Sequence, residues 1–188
     1  WLLDLETGQS KRLTRNDYRE LSFALSPDAK QFAFIATVNE AGEAYYEDNL
    51  FVQNVGEGSP ELIFADIALE VLNFAWDKSG QSLWLTGNSG LRTQLYRYDL
   101  SSRELTKITH GDHVVDEWSY DPGSERHLAI VRNATSAGTL VEINPETGTM
   151  MPMAEGLARW AEDYVLPQQR AFEWTAGDGQ RLVGLLVL

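Results

Sequence analysis

Cysteine is absent from the 188 residues, which excludes disulfides, thiolate chemistry and cysteine-type zinc sites together. It leaves the compartment open, since cytoplasmic and periplasmic proteins alike can lack cysteine. Basic residues are scarce: 15 Lys and Arg stand against 28 Asp and Glu, a net charge of −13. Such a chain repels a phosphate backbone and an anionic lipid surface, so neither nucleic acid nor a membrane is an expected partner. No apolar stretch approaches the ~18 residues of a membrane-spanning helix. Phosphate loops and dinucleotide fingerprints are missing, and so is the G-x-S-x-G elbow that presents a serine nucleophile. Gly80-Gln81-Ser82 runs on into Leu83-Trp84, and Gly87-Asn88-Ser89 into Gly90-Leu91; both serines read as turn residues. No catalytic constellation, metal site or cofactor is expected within the chain.

What the chain does have is core material and a beat. Hydrophobic residues make up 43% and aromatics 11%, too rich for disorder. One unit recurs: an apolar strand, a Pro/Asp/Gly turn, a second strand, a loop, and an aromatic strand closing at Asp or Asn. The first copy holds Leu21 to Leu25, Ser26-Pro27-Asp28-Ala29-Lys30, Gln31 to Thr37, and Leu50 to Val55 around Asn54. The second holds Val71 to Trp76, Asp77-Lys78-Ser79-Gly80, Ser82 to Thr86, and Leu95-Tyr96-Arg97-Tyr98-Asp99-Leu100. The third holds Val115 to Tyr120, Asp121-Pro122-Gly123-Ser124, His127 to Arg132, and Thr139 to Ile143 before Asn144. Asn54, Asp99 and Asn144 are each 45 positions apart, within the roughly 40–50 residues of a four-stranded propeller blade. A short fourth strand follows each copy, at Glu61 to Phe64, Glu104 to Thr109 and Thr149 to Met153. The opening Asp4-Leu5-Glu6-Thr7-Gly8 matches Asn144-Pro145-Glu146-Thr147-Gly148, the later half of a blade.

The expected fold is therefore all-β: a partial β-propeller of four-stranded antiparallel blades, about half a blade plus three whole ones, with a terminal β-hairpin. Residues 1–155 form the incomplete ring, 156–169 a connector, and 170–188 the hairpin. Within the connector, Leu157, Trp160, Ala161 and Tyr164 have the spacing of one or two helical turns. In the hairpin, two apolar runs flank Asp178-Gly179, a pair that favours tight turns. The chain opens at Trp1 inside a β-like segment and stops within a buried-type strand, so sequence is expected on both sides of it. Propellers close with typically four to eight blades; an open ring leaves blade faces uncovered, which invites self-association.

The blades, with Ser26-Pro27-Asp28 at a strand turn and Leu95-Tyr96-Arg97-Tyr98-Asp99-Leu100 as a strand, resemble the propeller of the prolyl oligopeptidase family of serine peptidases. The likeness is to the acylaminoacyl-peptidase and dipeptidyl-aminopeptidase branches. Trp174, Thr175, Asp178, Gly179, Leu182 and Gly184 are similar to the aromatic-Thr-x-x-Asp-Gly-x-x-Leu-x-Gly hairpin with which that family's α/β-hydrolase domain opens. The resemblance implies a parent protein that hydrolyses peptides through Ser, Asp and His on the hydrolase domain. Peptide substrates would meet that domain, and the propeller would gate access. None of the three catalytic positions falls within this chain. The alternative is a binding or scaffolding propeller with no hydrolase, whose tail pairs as a last-blade strand. A third reading, a propeller lactonase or lyase, requires a metal on the ring axis.

Three side chains are candidates for facing substrate. Glu47 and Asp48, beside Tyr45 and Tyr46 in what reads as the long loop of the first blade, could grip an α-ammonium group; a solvated loop anchored by its tyrosines is the alternative. Arg92 in Gly90-Leu91-Arg92-Thr93-Gln94 could face a cleft. His110, Asp112, His113, Asp116 and Glu117 are the densest set of metal-ligand types, but their spacing fits no ligand motif. They read as a solvated connector between blades, and His127 as a packing or edge residue at a strand start. Phe23, Phe74, Trp76, Trp84, Trp118 and Tyr120 recur at like positions and are expected to form inter-blade core. Asn133-Ala134-Thr135 fits a glycosylation sequon.

Overall fold

The computed structural model describes residues 1–56, 58–64, 67–154, 164 and 167–188. All regular structure among them is β: sixteen strands and no helix. Among the described residues no helix is long and apolar enough to cross a membrane. Of the connector, residues 156–163 and 165–166, with Leu157, Trp160 and Ala161 of the helical spacing, lie outside the described residues; Tyr164 is exposed. The chain divides into two compact units, 1–71 and 72–188.

In the first unit, β1 (Leu2–Leu3) pairs with β2 (Ser10–Lys11). The four-stranded sheet that follows runs in sequence order: β3 (Glu20–Leu25), β4 (Gln31–Val38), β5 (Ala44–Asn54) and β6 (Glu61–Leu62). Phe32 and Phe34 alternate with Ala33 and Ile35 along β4. Phe34 stacks on Phe51 at 5.4 Å and on Phe32 at 5.9 Å. With Ala36 and Val38 these rings form the unit's core, flanked by Leu13, Tyr18, Val55 and Leu62.

The second unit opens with β7 (Glu70–Trp76), β8 (Ser82–Ser89), β9 (Arg92–Asp99) and β10 (Glu104–Lys107). A second meander follows: β11 (Val114–Asp121), β12 (Arg126–Asn133), β13 (Ser136–Ile143) and β14 (Met150–Ala154). One parallel pairing, Val114 of β11 with Thr93 of β9, joins the two meanders. Elsewhere each is antiparallel. The core between them gathers Trp84 and Leu95 from one with Val115, Trp118, Ala129, Val141 and Ile143 from the other. A bulge in β11 between Asp116 and Ser119 lets Trp118 stay buried; Glu117 takes it up at φ +45°.

One turn type recurs along the chain. Asp4, Asp99 and Asn144 each accept backbone N–H bonds from the residues two and three positions on. The amide four positions on then donates to the same residue's carbonyl. That closing residue has positive φ: Gly8 and Gly148 at 69°, and Arg103 at 59°. Gly148 has a second reason to be glycine, because a Cβ there would lie 2.1 Å from the Ile108 carbonyl oxygen.

Two expectations are corrected. Tyr45 to Asp48 lie on β5, not in a loop. A short turn, in which the Asn39 side chain accepts the Ala41 and Glu43 amides and Gly42 has φ +76°, folds the chain back early. Phe23 is not core but 80% exposed. It stands on edge strand β3, at a groove of about 270 Å³ also lined by Trp1, Leu13, Leu25 and Phe32. Phe74, Trp76, Trp84 and Trp118 are buried as expected.

The last two strands, β15 (Gln169–Thr175) and β16 (Arg181–Val187), pair in full register from Gln169 with Val187 to Thr175 with Arg181. Among the described residues they pair with no strand of either meander. Gly179, at φ +87°, closes the turn after Asp178.

Candidate functional site

Arg92 is placed by a two-residue hairpin. Ser89 pairs with Arg92 across Gly90 and Leu91, and Gly90 supplies the positive φ (67°) that its tight turn needs. The neighbouring connector, Ile108 to His113, is fixed by a buried polar relay. Thr109 donates from its hydroxyl to Gln94 Oε1 (2.6 Å), and the Leu95 amide donates to Thr109 Oγ1 (3.0 Å). Gln94 Nε2 in turn donates to the Gly111 carbonyl (3.0 Å). Gln94 is 1% exposed and Thr109 fully buried; satisfied networks of this kind hold one geometry.

The connector brings Asp112 to Arg92, whose Nε donates to Asp112 Oδ1 at 3.1 Å while Nη1 donates to the Leu91 carbonyl at 3.0 Å. On the next meander Arg132 pairs with Asp116 at 3.1 Å. Between these pairs and β15 lies a cleft of about 420 Å³, lined by Arg92, Asp112, His113, Arg132 and Arg170 together with apolar residues including Leu91 and Leu185. His113 Nε2 is buried and has no hydrogen-bond partner among the described residues. Burial pushes the His113 pKa down and the charges of Lys107 and Arg92 push the same way, against the opposing charge of Asp112. Arg170 has no ion pair among the described residues.

Glu47 and Asp48 lie in the other unit. The Thr37 hydroxyl donates to Asp48 Oδ1 at 2.7 Å. Glu47 lines a separate groove of about 420 Å³ with Asn39, Glu40, Tyr45, Tyr46 and Phe64. Tyr46 is exposed, its hydroxyl 3.4 Å from that of Tyr45.

The His/Asp/Glu set of the connector does not converge: His110 is exposed, Asp112 and Asp116 are taken up by arginines, and Glu117 sits in the bulge. Among the described residues no three such groups could hold a metal ion. Asn133 is exposed at the β12–β13 turn, where its side chain accepts from the Thr135 amide and hydroxyl. His127, a packing residue as expected, is 1% exposed. Its ring lies 4.5 Å from Trp84, 4.7 Å from Tyr120 and 6.0 Å from Trp118. Sequence reasoning passed over His113, Arg132 and Arg170 as cleft residues. The only trace of them was the polar density around His110 to Glu117, since the cleft forms from strands far apart in the chain.

No protein-family model matches the chain, and no curated protein matches it in sequence. Solved structures match in fold. The acylaminoacyl peptidase of Pyrococcus horikoshii superposes with a TM-score of 0.65 at 19% identity, over 85% of this chain and 24% of its own. TolB from Acinetobacter baumannii superposes with a TM-score of 0.60 at 17% identity, over 98% of this chain and 45% of its own. The AtxE2 isopeptidase gives 0.65 at 18% identity, over 99% of this chain and 29% of its own. The chain thus spans between a quarter and a half of these proteins. It shares with them an all-β fold of propeller type.

Proposed function

We propose that this chain is the non-catalytic, substrate-gating propeller portion of a serine peptidase of the prolyl oligopeptidase family. On this reading β1–β2 is half a blade and the three four-stranded meanders are whole blades. Residues 170–188 are the opening hairpin of an α/β-hydrolase domain. The observation that carries it is the β15–β16 hairpin, which pairs only with itself among the described residues. A last-blade strand in a freestanding propeller would pair with a blade. The positions that resemble the family junction also take roles suited to a hairpin: Asp178-Gly179 forms the turn, and Trp174 faces Leu182 across the strands. A Cβ at Gly184 would lie 3.1 Å from the Trp174 ring, so glycine there lets the indole lie flat on β16. The likeness to two peptidases supports the same reading.

Chemistry would take place on the hydrolase domain and this chain would supply access and contacts. Arg92 lies in a cleft beside the hairpin. Glu47 lies on β5 in a groove with Tyr45 and Tyr46, where a carboxylate suits an ammonium group; Asp48, next to it on the strand, accepts from the Thr37 hydroxyl. The test is the product of the reading frame continued past Leu188. It should cleave aminoacyl-p-nitroanilides and be labelled by a fluorophosphonate at a serine outside residues 1–188, whereas the chain alone should do neither. A continued frame with no labelled serine would leave the binding-propeller alternative in its place.

A further inference from the structure

The chain carries a net charge of −13, yet one cleft is lined by three arginines and a single acid. We propose that this cleft, between the β8–β9 turn, the connector before β11, the β12–β13 turn and β15, binds a carboxylate, the C-terminal carboxylate of a short peptide. The peptide part rests on the peptidase reading above; the carboxylate part rests on the cleft alone.

Two of the three donors are already oriented by an acid. Asp112 holds Arg92 by Nε and the Leu91 carbonyl holds its Nη1, so Nη2 is left for a ligand. Asp116 holds Arg132 by Nη2, leaving Nε and Nη1. A guanidinium held in this way meets a carboxylate with little further loss of side-chain freedom. Arg170 adds a charge from the hairpin side that no acid neutralises among the described residues. His113 also lines the cleft, with its Nε2 shielded inside and without a partner among the described residues. The connector that presents His113 is locked by Gln94 and Thr109. Its backbone allows the ring close, since a Cβ at Gly111 would stand 3.3 Å from His113 Nδ1. The volume of about 420 Å³ suits a small ligand, and Leu91, Val114 and Leu185 offer apolar wall for the terminal side chain.

The test is an NMR titration of the 188-residue chain with N-acetyl-Ala-Phe, with its C-terminal amide, and with acetate. The acid is expected to bind at least tenfold tighter than the amide and to shift the Nε–H signals of Arg92, Arg132 and Arg170. The double variant R132Q/R170Q should remove the preference for acid over amide. Both side chains are exposed, and retained dispersion of the spectrum will show that the variant is folded; R170Q alone, which leaves the Asp116 pair intact, should reduce the preference at least threefold. Equal binding of acid and amide, or a preference that survives in the folded double variant, overturns the proposal. Displacement of the peptide by equimolar acetate overturns the peptide assignment and makes the ligand a free organic acid. No turnover is read, so a failed peptidase reading and a failed carboxylate site give separate results.

Discussion

Protonating His127 would put a charge into the apolar seam between the two meanders of the second unit. The ring is packed among Trp84, Trp118 and Tyr120, and neither nitrogen has a partner among the described residues. The charged groups around it are those of the adjoining cleft: Asp77 on the β7–β8 turn, Arg97 on β9, Glu125 before β12 and Glu146 after β13. Arg97 itself lies over Trp84, 5.3 Å from the ring centre. Burial lowers the His127 pKa from 6.5 to about 4. The depressed value means that the unfolded chain takes up the proton first. This contribution to stability is whole above the unfolded pKa of about 6.5, falls as the pH drops below it, and levels off below about 4. Between pH ~7.5 and ~5 the linkage amounts to about 2 kcal/mol, and to about 3 kcal/mol at its limit, at 1.36 kcal/mol per pKa unit. Urea unfolding followed by tryptophan fluorescence at both pH values measures it directly. Surface carboxylates also titrate, so the comparison is with H127F, which keeps a ring of similar shape and cannot be protonated. The wild-type chain should lose about 2 kcal/mol more than H127F over that interval. Equal losses would refute the claim that His127 is held neutral by the seam.

Other outcomes follow from the turns and open faces. Gly148→Ala combines a left-handed backbone with a Cβ 2.1 Å from the Ile108 carbonyl oxygen. It should destabilise the chain well beyond the ~1 kcal/mol of the backbone preference alone, as chemical denaturation will show. Gly8→Ala has the same φ of 69° and nothing within 4 Å; it should lose only about 1 kcal/mol, and equal losses at both sites would contradict the close approach. Asp99, whose carboxylate accepts from the Ser101 hydroxyl and the Ser102 amide, has its pKa drawn down to about 2. Carbon-detected NMR should find it still ionised well below the ordinary carboxylate value of 3.8. Exposed Trp1, Phe23 and Leu25 border an apolar groove on the first unit. Sedimentation should therefore show concentration-dependent self-association, reduced in F23S.

Repetition made the architecture readable from sequence. Turn residues at Asp4, Asp99 and Asn144 mark the end of a strand by local bonds alone, and local chemistry is what a sequence displays. Arg103 shows the limit: it takes the left-handed position that glycine holds at residues 8 and 148, a role that its identity does not announce. Tyr45 to Asp48 looked like loop because of their polarity, yet a tight turn at Asn39 extends the hairpin through them. The cleft was the least legible part. Arg92, His113, Arg132 and Arg170 come together only through the stacking of meanders and the placing of the hairpin. The Gln94–Thr109 relay that fixes the connector spans fifteen residues and leaves no periodic signal. Phe23 and Trp84 look alike in the pattern, but only Trp84 finds a second meander to cover it.

The most direct measurement is fluorophosphonate labelling with peptide mapping of the protein translated through and beyond Leu188. A single labelled serine downstream of the hairpin, with aminoacyl-nitroanilide hydrolysis lost on labelling, is the expected result. A longer product that takes up no label and cleaves no peptide would contradict the assignment of these blades to a serine peptidase.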